Sequence, residues 1–132
     1  MKALDTNVLV RLLVRDDPEQ AAVATAEVAR LTPASPGYVT VVTLAEIAWV
    51  LERGYRIPRA ETLTALRRVV TADGVRVERP RDVERALDSA DQGADFGDAL
   101  IDAVSRSDGC ATVVTFDRKA AKRLGWELLG SP

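Results

Sequence analysis

The sequence of 132 residues contains no histidine. That absence removes imidazole general bases, Ser-His-Asp triads and every metal site built on histidine. A metal site here would have to use oxygen donors, which favours hard ions such as Mg²⁺ or Mn²⁺. There is one cysteine, Cys110, so no disulfide can form within the chain, and a reducing compartment is the expected setting. Between Gly109 and Ala111 this cysteine reads as a small buried thiol. No uncharged apolar run approaches the ~18 residues of a membrane span. Asp5 and Arg11 interrupt the apolar start, so neither a span nor a signal peptide is expected, and the predicted location is cytoplasmic. Charge of one sign is also lacking. Against 20 Asp and Glu stand 18 Lys and Arg, a net charge of -2. Nucleic acid bound by bulk positive charge is thereby disfavoured, whereas local basic clusters are not.

What is present fits one folded domain over residues 1–132, long enough to bury its own core. No repeat, low-complexity tract or linker divides it. Lys2 to Leu4 predicts a first strand and Asn7 to Val14 a helix. Pro18, at a favourable first helical position, opens a second helix to Leu31. Tyr38 to Val42 is β-branched and aromatic, which predicts a second strand. Thr43 and Glu46 match a capping box for the next helix, with Leu44, Ile47, Ala48 and Leu51 at helical spacing. Pro58 opens another helix, Gly74 breaks it, and Val75 to Val77 predicts a third strand. Helices are expected from Pro80 to about Ala90 and from Gly97 to near Gly109. Thr112 to Phe116 predicts a fourth strand, followed by a helix that Gly125 caps and a short strand over Trp126 to Leu129. Strands alternating with helices imply a parallel sheet covered on both faces.

In such a sheet, ligands bind at the carboxyl ends of the strands. Asp5 ends the first strand, Glu46 lies just beyond the second and Asp117 ends the fourth. Asp98 opens the helix that leads into the fourth. Each has an ordinary structural explanation. Glu46 completes a capping box, Asp117 and Asp5 are helix caps, and Asp98 complements a helix dipole. Taken together they predict carboxylates gathered at one sheet edge. Such a group repels itself unless a cation sits among them, and Mg²⁺ accepts this kind of oxygen site.

Four segments carry a resemblance: LDTNVLVRLL (Leu4 to Leu13), TLAEIAWVL (Thr43 to Leu51), ADFGDALI (Ala94 to Ile101) and VVTFDRKAAKRLG (Val113 to Gly125). In this order and spacing the chain resembles the PIN-domain ribonucleases, most closely the VapC toxins of type II toxin–antitoxin systems. The resemblance implies a three-layer α/β/α sandwich around a central parallel sheet. It implies that Asp5, Glu46, Asp98 and Asp117 are catalytic metal ligands, with Asp95 assisting. Thr6, Asn7 and Thr115 match polar positions around the site. Asn7 is expected to orient Asp5, and Thr115 to hydrogen-bond a carboxylate or a metal water. Asp102, one turn beyond Asp98, reads as support or surface.

The implied activity is Mg²⁺-dependent endoribonuclease cleavage, in which a metal-activated water hydrolyses an RNA phosphodiester and leaves 5′-phosphate and 3′-hydroxyl ends. The lack of histidine agrees, since a two-histidine ribonuclease mechanism is closed to this chain. Arg11 and Arg15 follow Asp5, and Arg118, Lys119, Lys122 and Arg123 follow Asp117. They read either as RNA contacts or as solvated faces. Trp49, Tyr55 and Trp126 read as base-stacking groups or as core and interface. The resemblance further implies a cognate antitoxin, lying across the helices near Ala45 to Leu51 with a cation in the acidic site. It also implies a homodimer, for which the apolar helices over Leu44 to Leu51 and Leu63 to Val70 offer surface. Two rival readings stand beside this one: a catalytically silent PIN-like interaction module, and a Mg²⁺-binding phosphoryl-accepting signalling domain. The latter wants paired acids after the first strand. A phosphatase of the Asp-x-Asp type would want Asp at position 7, where Asn7 stands.

Overall fold

The computed structural model describes residues 1–130. The chain forms two compact units, one over Met1–Glu78 and one from Arg79 onward.

The first unit runs β1 (Lys2–Ala3), α1 (Thr6–Val14), α2 (Pro18–Ala29), β2 (Gly37–Val39), α3 (Val41–Trp49), a π-turn (Val50–Gly54), α4 (Arg59–Thr71) and β3 (Val75–Val77). Its three strands are parallel in the order β1-β2-β3, with Ala3 beside Tyr38 and Val39 beside Val77. Parallel neighbours need crossover connections, which the intervening helices supply. Val39, Leu44, Ile47, Leu51 and Leu66 are essentially solvent-free and form the core. Burying each such side chain favours folding by roughly 1.5–3 kcal/mol. Gly37 sits where the side chains of Leu4 and Leu31 crowd the start of β2. A Cβ there would stand 2.7 Å from Leu31 Cδ1 and 2.9 Å from Leu4 Cδ1.

The second unit runs α5 (Pro80–Asp91), α6 (Phe96–Ser107), β4 (Val114–Thr115), α7 (Arg118–Leu124) and β5 (Glu127–Leu128). Small residues let α5 and α6 approach: Ala86, Ala90, Ala99 and Ala103 are buried with Val83, Leu87, Phe96 and Leu100. A second cluster joins Ala120, Ala121 and Trp126 to Val113, Leu124 and Leu128. β4 and β5 pair in parallel, Thr115 beside Leu128. Gly125 closes α7 in the left-handed conformation, with φ 71°.

The parallel α/β character expected from the sequence is therefore present, with the strands distributed over two ladders. Three local expectations need correction. α3 starts at Val41 rather than after Thr43. Its cap is Thr40, whose Oγ1 accepts the Thr43 amide at 3.1 Å, and the Val41 amide is held by the Glu78 carboxylate at 2.9 Å. β4 is shorter than Thr112 to Phe116. Cys110 is exposed, not buried, because it follows the end of α6 in an open connection.

Candidate active site

In the first unit the site begins where β1 gives way to α1. Asp5 has extended backbone and caps α1, its Oδ1 accepting the Thr6 amide at 2.9 Å. The helix dipole and free amides at this end favour an anion. Thr6 then donates its hydroxyl to Glu46 Oε1 at 2.7 Å, a bond that spans 40 positions of sequence. So Asp5 and Glu46 are linked through a single residue, at the carboxyl edge that β1 and β2 share. Thr6, not Asn7, is the residue that fixes Asp5 in place. Glu46 does not serve a capping box. Because α3 begins three residues early, Glu46 lies in the second turn, on the outward side, while Thr43, Leu44, Ile47 and Ala48 turn inward. The ordinary explanation of Glu46 therefore falls away, and an exposed carboxylate held by a threonine hydroxyl is left.

In the second unit Asp95 caps α6, accepting the Asp98 amide at 3.0 Å. Asp98 itself occupies the first turn. Partial burial pushes its carboxyl above the usual carboxylate range, and repulsion from Asp95 and Asp117 pushes in the same direction. No cation contributes to that balance. Asp117 caps α7, its Oδ1 accepting the amides of Lys119 at 2.9 Å and Ala120 at 3.1 Å. The Thr115 hydroxyl oxygen accepts the Asp117 amide at 3.0 Å and so shapes the loop that carries Asp117. Asp102 is structural: it accepts Trp126 Nε1 at 2.8 Å and Arg106 Nε at 2.8 Å.

The expected cations divide into two kinds. Arg11 is committed to the fold, donating to Gln20 at 2.6 Å, to Asp16 at 3.0 Å and to the Tyr55 hydroxyl at 3.3 Å. Tyr55 in turn donates to Asp16 at 2.9 Å. The Tyr55 hydroxyl and Asp16 raise the Arg11 pKa further. Arg123 is likewise tied, to the Gln92 carbonyl at 2.7 Å. Arg15 ends α1 in the left-handed conformation and is exposed. Arg118 and Lys119 are exposed in the first turn of α7, the end where the dipole disfavours cations. They gain nothing structurally from that position.

The apolar surface expected to drive pairing is not where the sequence placed it. Leu44, Ile47, Ala48, Leu51, Leu63, Leu66 and Val69 are buried. The exposed apolar groups of α3 are Val42 and Trp49. Sequence reasoning also missed Asp82, which is buried and bonded to Arg79 at 3.2 Å and to the Ser107 hydroxyl. No linear pattern announces that contact. Asp95 was readable as a cap from the Asp-x-x-Asp spacing before an apolar run.

The donors available for a cation are carboxylates, the type that suits Mg²⁺. The fit is chemical rather than preformed. Among the described residues, no three Asp, Glu or Cys side chains make a ready cluster for a metal ion. The crowding of Asp98 by two like charges is what a cation would relieve. No curated protein matches the chain. The PIN domain family matches it over residues 2–126, across both units and all four segments of the sequence that carried the resemblance, and the chain belongs to that family.

Proposed function

We propose that this protein is a metal-dependent endoribonuclease acting as the toxin of a type II toxin–antitoxin pair. PIN domains are in general metal-dependent nucleases that act on RNA. The observation that carries the reading here is Asp98: a partly buried carboxylate, crowded by Asp95 and Asp117, at a helix start. Carboxylates shifted by burial and by like charge are enriched at functional sites. In the proposed assignment Asp5, Glu46, Asp98 and Asp117 are the metal-ligating carboxylates. Asp95 and Thr6 position them, and Thr115 and Asn7 line the surroundings. A divalent ion, Mg²⁺ or Mn²⁺, supplies charge neutralisation and Lewis acidity at the phosphodiester. The chain's own part is to fix Asp5 and Asp117 as helix caps, where backbone amides hold them still, and Glu46 through the Thr6 hydroxyl. Arg118 and Lys119 meet the RNA backbone, as does Arg15. Arg11 is reserved for the fold.

The antitoxin, the homodimer and the cytoplasmic location belong to the same proposal. Among the described residues no helix is long and apolar enough to cross a membrane. With the α3 and α4 core residues buried, the homodimer rests on the family resemblance. Light scattering at micromolar protein is expected to give twice the monomer mass.

The test is cleavage of single-stranded RNA with Mg²⁺ or Mn²⁺, followed by end mapping. Cleavage lost in EDTA and restored by added metal, with 5′-phosphate ends, is the expected outcome. Undiminished cleavage in excess EDTA would overturn the assignment. The absence of a preformed three-ligand cluster favours one rival, a catalytically silent PIN module. Failure of every metal to support cleavage would install that reading instead. Membership of the PIN family speaks against the phosphoryl-accepting signalling domain.

A further inference from the structure

α3 presents to solvent a stripe whose chemistry differs from that of its buried face. Glu46, Trp49 and Arg53 are all exposed, at successive turns. Trp49 is 63% exposed, whereas the other tryptophan, Trp126, is only 8% exposed. Tryptophan is highly buried on average and is enriched at interfaces. The geometry of the stripe follows from helix physics. Residues three apart on a helix are neighbours, about 5–6 Å between Cβ atoms. Trp49 therefore lies one turn beyond Glu46 on the same exposed side of the helix. Past Trp49 the helix widens into the π-turn, closed by the Tyr55 amide on the Val50 carbonyl at 3.1 Å. A π-turn holds more residues per turn than an α-turn, so residues four apart lie closer to eclipse. Arg53 is thereby carried onto the side of Trp49. The rise from Glu46 to Arg53 is roughly 10 Å, about one to two nucleotides of single-stranded RNA.

An acid, then an indole, then a guanidinium is the order in which a nucleotide chain presents a phosphate to be cut, a flanking base and the next phosphate. We infer that Trp49 is a base-stacking platform for single-stranded RNA, with Arg53 on the adjoining phosphate. The inference rests on the nuclease reading and adds a positioning surface to it. Stacking on an indole is sequence-tolerant, because every base has a π-face. Trp49 therefore sets where the strand lies, not which sequence is chosen. The competing occupant of this face is a protein, attracted by Val42 and Trp49 as an apolar pair. The exposed Arg53 favours the nucleic acid, because a guanidinium pairs with a phosphate.

Trp49 also provides the readout. With Trp126 buried, collisional quenching by acrylamide reports Trp49. In EDTA, where no cutting is expected, titration with a short single-stranded RNA should quench this emission and protect it from acrylamide. Trp49→Leu should weaken binding by about 5- to 150-fold, and Trp49→Phe by much less. In Mg²⁺ the Trp49→Leu change should appear in KM, with kcat nearly unchanged. An RNA series with one abasic position moved along the strand should reveal a position where Trp49→Leu costs nothing further. Circular dichroism checks that the variants are folded. If the wild type cleaves RNA but Trp49→Leu binds and cleaves equally well, the platform is wrong and the nuclease reading stands. If Trp49→Leu leaves RNA binding unchanged but alters the mass in solution, the face is a protein interface. If the wild type neither binds nor cuts RNA, the platform falls together with the nuclease.

Discussion

Within Met1–Glu78, the acids of interest meet neutral donors: Asp5 takes the Thr6 amide and Glu46 takes the Thr6 hydroxyl. From Arg79 onward, Asp98 meets two further carboxylates, and its proton is held more tightly than usual. The second unit also contains Asp82, with the opposite balance. The Ser107 hydroxyl lowers its pKa, against the cost of burial, and Arg79 adds to the lowering. Arg79 is itself shared with Asp108, at 3.1 Å and 3.2 Å. So one unit contains a satisfied acid and an unsatisfied one on neighbouring helices. The difference separates acids that build the fold from acids the fold tolerates. Asp82 has every partner it needs, and its role ends there. Asp98 is instead opposed by burial and by two like charges.

The largest effect should come from removing the unsatisfied charge. Asp98→Asn conserves volume and can keep its place in the first turn of α6. It should lower metal-dependent RNA cleavage by about a hundred- to a thousandfold, the range expected when a charge-stabilising group is lost. Asp5→Asn should do the same while still capping α1, since asparagine is as good a cap as aspartate. Cleavage by either variant at the wild-type rate would remove that residue from the site. The satisfied acid predicts the reverse pattern. Asp82→Ala leaves the Ser107 hydroxyl unpaired and deprives Arg79 of one of its two acids. Breaking a buried pair costs about 3–5 kcal/mol. Arg79 is partly exposed and retains Asp108, so a loss of about 2–3 kcal/mol in urea unfolding is expected. Activity per folded molecule should hold. If Asp82→Ala lost activity without losing stability, the division between the two acids would fail.

How much of this was legible beforehand depends on whether a local pattern reached the answer. Asp5, Asp98 and Asp117 stand where strand and helix signals meet, and the sequence located them because caps have short-range grammar. Most of the helices were likewise visible in their proline starts and apolar spacing. The start of α3 was not. A Thr-x-x-Glu pattern pointed to Thr43, but the Val41 amide finds its acceptor in Glu78, 37 positions away, and that bond moves the helix start. The consequence reaches function, because the shift turns Glu46 outward and leaves it to Thr6. Arg11 failed in the same way. Its partner Tyr55 is 44 positions distant, so a basic residue beside Asp5 looked free when it was committed. Contacts across the chain, not propensities, carried the part the sequence did not show.

The Thr6–Glu46 bond gives a smaller and sharper test of the neutral-donor side. Thr6→Val keeps the shape and the backbone amide that binds Asp5, but removes the hydroxyl. Glu46 then loses a fixed direction, not a charge. A fall of about tenfold in kcat/KM is expected, near the worth of one hydrogen bond to a charged group. Thr6→Ser should restore most of it, whereas a purely structural role for the methyl group would leave Thr6→Ser as poor as a deletion. Stability should change by only about 1 kcal/mol.

The smallest effect is a pH signature without metal, and it tests the comparison at its origin. A carboxyl whose folded pKa lies above its unfolded value binds its proton more tightly when folded. Its favourable contribution is complete below the unfolded pKa, near 3.9, and is lost as pH rises through the folded pKa. At neutral pH, in EDTA, ionised Asp98 therefore costs stability, and Asp98→Asn should unfold slightly later than wild type, by on the order of a degree or two in Tm. Lowering the pH protonates Asp98 in the wild type, so the advantage should shrink as pH falls and be gone only below the unfolded value. Asp82, with its pKa lowered, behaves oppositely: its contribution is present above the unfolded value and is lost as pH falls through the folded one. Asp82→Asn should accordingly be worst at neutral pH and approach wild type in acid. Thermal scans of both variants between pH 4 and pH 7 give the two slopes side by side. Opposite signs are required. A common sign would mean that Asp98 is no more crowded than Asp82. Adding Mg²⁺ at neutral pH should then reverse the Asp98→Asn advantage, because only the wild type retains the charge that the ion needs.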